Sequence, residues 1–182
     1  IIIQINMNKK RADLVSPYQL NKKKYSFIAK FWHWGFVLLF IYGVAKQVDE
    51  IEQLEDRFFF QFEIVFALLF LFLLAIRFVY MSKTQETSLP DDTSKIQKIA
   101  ARTVHLGMYG TLAGTAITGL LIGLFYWLGF TEGLFIDFLT VIHSFIVNAL
   151  YLLIGIHIVA AVYHRFKKDG VWSSMVPFFR EK

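Results

Sequence analysis

The chain has 182 residues, 56% of them hydrophobic, with twenty Phe, no Cys and a formal net charge of +5. The apolar share exceeds the roughly 45–50% usual for soluble domains, and the lack of Cys excludes disulfides, thiolate metal sites and thioether-attached cofactors. The positive charge is distributed as a membrane topology signal, so a nucleic-acid partner has little support.

Residues 1–24 begin with a short apolar run and continue as a basic polar stretch, the reverse of the order in a signal peptide. They read as a cytoplasmic tail, with Met7 as an alternative start. Four apolar stretches follow: "FIAKFWHWGFVLLFIYGVA", "FFFQFEIVFALLFLFLLAI", "AARTVHLGMYGTLAGTAITGLLIGLFYWL" and "FLTVIHSFIVNALYLLIGIHIVAAVY". Each is near or above the ~20 residues needed to cross ~30 Å of hydrocarbon. They are apolar around most of their circumference, as suits helices that face lipid on one side and each other on the rest. The expected fold is all-α, an integral membrane four-helix bundle spanning residues 25–165, followed by a cytoplasmic C-terminal tail at 166–182.

Lys and Arg concentrate in the N-terminal tail, in the second loop (Lys83, Lys95, Lys98) and at the C-terminus (Arg165, Lys167, Lys168, Arg180, Lys182). The first loop, "KQVDEIEQLEDR", is acidic, and the last, "GFTEGLFID", has no basic residue. The bias of basic residues toward the cytoplasm therefore places both termini inside and makes the protein multi-pass in the inner membrane. "DDTSKIQK", after Pro90, is expected to open a short surface helix capped by Asp or Thr. Trp32, Trp34, Trp127 and Tyr126 read as interfacial anchors.

Ionisable residues inside a span are costly, so each is a functional candidate. At about 1.5 Å per residue, His33 lies ~12 Å inside the start of helix one and His157 ~10 Å before the end of helix four, which matches their depths. His143 precedes His157 by fourteen residues, ~21 Å along the axis and within ~40° of whole turns, so both imidazoles share a face. Two stacked haems relaying electrons across a bilayer would use such an arrangement, with an axial nitrogen from each of two facing helices. The alternative for each His is a buried polar group bonded to a neighbouring carbonyl. On helix three, Gly107, Gly110, Gly114, Gly119 and Gly123 suit either clearance for a flat macrocycle or close helix packing. His105, Arg102 and Arg77 lie near its inner end; they suit haem propionates, a quinone headgroup, or snorkelling to the interface. His164, next to Arg165, reads as interfacial. The histidines are too widely spaced for a compact zinc site within one helix.

These residues resemble the bacterial cytochrome b561 family, which includes the cytochrome b subunits of nickel-iron hydrogenases and is related to that of formate dehydrogenase. The resemblance covers about residues 24 to 178 and is carried by "KFWHWGFVLLF", Arg77, "HLGMYG", "IHSFIVNALYLLIGIHIVAAVYH" and "FKKDGVWSSMVP". It implies a bundle holding two b haems, with His33 and His157 on the inner iron and His143 on the outer one. In the family a His stands on helix two fourteen residues before the Arg; here that position is Glu63. Glu63 could ligate the outer iron, could hydrogen-bond near a five-coordinate haem, or could pair with His143 with no outer haem, leaving one haem.

The function that the resemblance implies is electron transfer between a redox partner and the quinone pool; the altered outer ligand and the extended basic tail fit a subunit of a respiratory membrane complex. The alternatives are a stand-alone superoxide:quinone oxidoreductase, against which the acidic first loop argues by repelling an anion, and a haem-poor structural membrane subunit.

Overall fold

The computed structural model describes residues 25–46, 53, 55–85 and 87–181. The N-terminal tail and most of the acidic first loop lie outside the described residues. Four long helices follow in order: α1 (Phe27–Ala45), α2 (Arg57–Thr84), α3 (Lys95–Trp127) and α4 (Leu134–Lys167). All four are long and apolar enough to cross a membrane. The protein is therefore an all-α multi-pass membrane bundle. At 1.5 Å per residue, α3 and α4 reach about 50 Å, well beyond the hydrocarbon, whereas α1 is about 29 Å, close to its thickness.

Local chemistry sets the helix starts. Ser26 Oγ accepts from Ala29 N at 3.1 Å, and Asp56 Oδ1 accepts from Phe58 N at 2.8 Å and Phe59 N at 3.1 Å. Ser94 Oγ accepts from Gln97 N at 3.3 Å. These side chains satisfy N–H groups that have no partner within the helix. The surface helix expected at "DDTSKIQK" is therefore the opening of α3 itself. Its cap is Ser94 rather than Asp or Thr, because Asp91 and Asp92 fall in the turn ahead of the helix. Gly133, at φ 104, turns the chain into α4 with no side-chain cap.

Packing is strongest between α3 and α4, then between α2 and α3. The α3 glycines explain why. A Cβ built at Gly107 would lie 3.1 Å from Leu153 of α4, at Gly114 3.3 Å from Ile146 of α4, and at Gly123 3.4 Å from Phe60 of α2. Helices without side chains at the contact approach closely, which is how spans associate when lipid and core are equally apolar. A small core forms around Phe36, Phe70 and Leu74, flanked by Trp32, Phe66 and Tyr109. The largest apolar side chains otherwise point outward: Phe58 is 79% exposed and Leu134 89%. This inverted pattern suits lipid and would be ruinous in water.

Ser26 Oγ lies 3.0 Å from Tyr80 Oη, and Ser26 N donates to Gln85 Oε1 at 3.2 Å. The start of α1 thus shares one end of the bundle with the end of α2. Basic residues from the second loop and the end of α4 gather there, and we call it the basic end; the opposite, acidic end carries Glu55, Asp56, Glu132 and Asp137. Beyond α4, Lys168 takes a left-handed conformation (φ 57) and a short helix α5 (Val171–Met175) forms. Trp34 Nε1 donates to Met175 O at 3.3 Å, which folds the C-terminal segment back against α1.

Candidate functional site

Three imidazoles converge near the basic end, one from each of α1, α3 and α4. The ring centroids of His33 and His157 are 6.3 Å apart, and those of His105 and His157 5.0 Å. Depth-matching in the antiparallel bundle produces this: His33 stands two turns into α1, and His157 about three turns before the end of α4. Arg77, approaching from α2, places Nη2 3.1 Å from His33 Nδ1. Its guanidinium carbon is 5.3 Å from the ring centroids of both Phe36 and Tyr109, a cation held between two π faces.

Arginine has no acceptor, so it donates here and His33 Nδ1 accepts, which puts the ring proton on Nε2. The Nε of Arg77 is buried and has no partner. Among the described residues no carboxylate is bonded to this guanidinium, so one donor of a cation within a span is left for an anion. His105 differs: its Nδ1 lies 2.6 Å from Ala101 O and donates to it, which leaves Nε2 as an acceptor. The bland reading, a His bonded to a carbonyl, thus describes His105. His105 is exposed, as is Arg102 one turn earlier.

A fit test follows from the His33–His157 separation. Two metal–nitrogen bonds of about 2 Å, plus roughly 1 Å from each nitrogen to its ring centre, put the centroids of axial imidazoles on one iron about 6 Å apart. The observed 6.3 Å meets this. Gly110, about one and a half turns deeper than His105 on α3, has nothing within 4 Å of a built Cβ; Gly35 and Gly155 are open too, but they are exposed and turned about 200° from His33 and His157. A flat macrocycle with anionic substituents therefore finds here two imidazoles at a fitting spacing, an open position on α3 and a cation with one unpartnered donor.

The acidic end is different. His143 Nδ1 is 2.7 Å from Thr118 Oγ1. Thr118 gives its own proton to Gly114 O at 2.7 Å, so His143 donates to the hydroxyl. A Cβ at Gly119 would lie 3.5 Å from His143 Cε1, so the ring rests against α3. Both His143 and His157 therefore turn toward α3. Glu63 does not pair with His143. Its Oε1 accepts from Lys46 Nζ at 3.2 Å, and that ammonium sits 3.4 Å from the Phe62 ring centroid and 4.5 Å from that of Phe59. The direct Glu63–His143 pair is thus not formed, because Lys46, at the end of α1, reaches the carboxylate instead.

His164, read as interfacial, lies 2.6 Å from Asp169 Oδ2, and Lys167 Nζ is 3.5 Å from the same oxygen. Asp169 Oδ1 also accepts from Val171 N at 3.2 Å, so this buried carboxylate ties the C-terminal segment to α4. Among the described residues no group of three or more His, Asp or Glu is arranged to hold a bare metal ion. Sequence reasoning missed Lys46, Thr118, Tyr109 and Asp169. Only Lys46 left a usable signal, as a lone cation closing a span that faces a carboxylate two turns into the next.

A family model described as prokaryotic cytochrome b561 matches residues 24–178 of the chain. No curated protein and no solved structure matches it.

Proposed function

The chain belongs to the prokaryotic cytochrome b561 family, and from that premise we propose that it holds haem b at its basic end and passes electrons between a redox partner and the quinone pool, as the membrane subunit of a respiratory assembly in the inner membrane. The family makes it a membrane b-type cytochrome; the 6.3 Å spacing of His33 and His157 is the observation that carries the location of the cofactor.

In this reading His33 and His157 would hold the haem iron. Haem b supplies a one-electron centre whose potential its protein surroundings set. Ligation of iron through Nε2 requires the His33 proton on Nδ1, whereas the bond from Arg77 requires Nδ1 bare. The two are mutually exclusive, so iron ligation frees Arg77. Its Nη2 and its unpartnered Nε would then be free to hold a propionate, a planar fork matched to a carboxylate. Arg102 and His105, both exposed at this end, suit a quinone headgroup: the bare Nε2 of His105 can accept a hydroxyl proton. The Lys- and Arg-rich loops at the same end suit a cytoplasmic orientation and anionic headgroups.

The acidity of the opposite end disfavours superoxide as a substrate, because it repels an anion in solution. Quinol added to membranes containing the chain should reduce its haem; a haem that reacts only with superoxide would contradict the assignment.

A further inference from the structure

We propose that this chain carries a single haem, at the basic end, and that its acidic half is a haem-free ion-paired plug, so that electrons enter and leave on one side of the membrane. The inference rests on the reading of the basic end as a haem site and deepens it.

The residues at the acidic end do not fit a second haem. Where the resemblance implies a His on helix two there is Glu63, and its carboxylate is already held by Lys46 at 3.2 Å. To reach iron it would have to leave a cation that two aromatic rings, Phe59 and Phe62, also hold in place. The two charges neutralise each other where a haem ligand would otherwise stand, which removes the cost of an intramembrane carboxylate without any cofactor.

The field at this end is also wrong. Two propionates need cations, and the basic end offers Arg77 with an unpartnered buried Nε. At the acidic end, among the described residues, Lys46 is committed to Glu63, and Arg57 follows Glu55 and Asp56 in sequence at the end of the bundle that also carries Glu132 and Asp137. A dianionic macrocycle would be repelled there. His143, the remaining half of the implied pair, has its ring against Gly119 and its Nδ1–H on Thr118. Its Nε2 is bare, as ligation would need, but the helix-two position where the resemblance implies its partner holds Glu63, already bound to Lys46.

The consequence is topological. His143 lies ~21 Å along α4 from His157, and a lone haem near one surface leaves the far surface without a redox centre. The electron donor or acceptor must then dock at the basic face, where the quinone site also lies, instead of delivering electrons across the bilayer.

The test is the ratio of haem b to polypeptide in the purified full-length chain, by pyridine haemochrome with quantitative amino-acid analysis, together with a potentiometric titration of the same sample. A ratio near one, a single one-electron wave, and a ratio unchanged in Glu63→Gln support the proposal. A ratio near two, or a high-spin second component from a haem held by His143 alone, would overturn it while leaving the basic-end site intact. No haem at all would overturn both. Should Glu63→Gln fold poorly, the ratio and wave count of the unaltered chain decide alone.

Discussion

Arg77 donates to His33 at 3.1 Å through Nη2, while its buried Nε has no partner. A cation that holds a histidine by the nitrogen opposite its ligating one, and keeps a donor in reserve, is arranged to exchange that histidine for an anion. Both halves of the exchange can be measured.

Replacing Arg77 with Gln should weaken haem retention by about 10–100-fold, from the loss of a charge-assisted hydrogen bond of about 1.5–3 kcal/mol. It should also lower the midpoint potential by some tens of mV, since a nearby positive charge favours the reduced iron and about 59 mV corresponds to a tenfold change for one electron. Haem release to apomyoglobin and a redox titration read the two effects. Arg77→Lys should restore the potential more than the retention, because Lys keeps the charge and loses the fork.

Truncating Glu63 to Ala leaves Lys46 without its carboxylate. The side chains of the pair are 31% and 24% exposed, so the cost is that of a partly screened pair, about 1 kcal/mol, and well short of the 3–5 kcal/mol of a fully buried one. The double variant Lys46→Met, Glu63→Leu should regain most of it. Denaturation in mixed micelles gives the cycle, and a coupling energy near zero would remove the pair from the account.

The α3 glycines should separate into two kinds. Gly107→Leu forces atoms into Leu153, already 3.1 Å from a built Cβ, and should destabilise the α3–α4 contact by about 1–3 kcal/mol. Gly110→Leu meets open space; it should leave stability nearly unchanged and lower haem content instead. Equal loss of stability in both would mean that all these glycines serve packing.

Asp169→Ala removes the acceptor of His164, Lys167 and the Val171 amide together. With that carboxylate gone the C-terminal segment should detach from α4, and trypsin should cleave after Lys167 and Lys168 several-fold faster than in the unaltered chain. Haem content should be unaffected. A coupled loss of haem would show that the segment supports the His33 site through the bond from Trp34 to Met175.

The four spans were legible because each is a long apolar run with nothing to arrest it, and the expected first span coincides with α1 over Phe27–Ala45. The shared depth of His33 and His157 followed from counting residues to the membrane surface, since rise per residue is fixed within a helix; the contacts of His105 with His157 and of Arg77 with His33 did not. What stayed hidden depended on rotation and reach. Whether Glu63 meets His143 or Lys46 is decided by how α2 turns against α1, and the apolar-all-round sequence of α2 leaves that rotation unmarked. The start of α3 was misread because Ser94 follows Asp91, Asp92 and Thr93, which are equally good caps, and only backbone geometry distinguishes them.

The central claim is that His33 and His157 are the two axial ligands of one haem, and electron paramagnetic resonance of the oxidised, purified chain tests it most directly. The account predicts a low-spin bis-imidazole signal that survives His105→Ala and is replaced by a high-spin signal, or lost with the haem, in His33→Ala and in His157→Ala. A low-spin signal that persists in His33→Ala and disappears in His105→Ala would contradict it, and would assign the second ligand to α3.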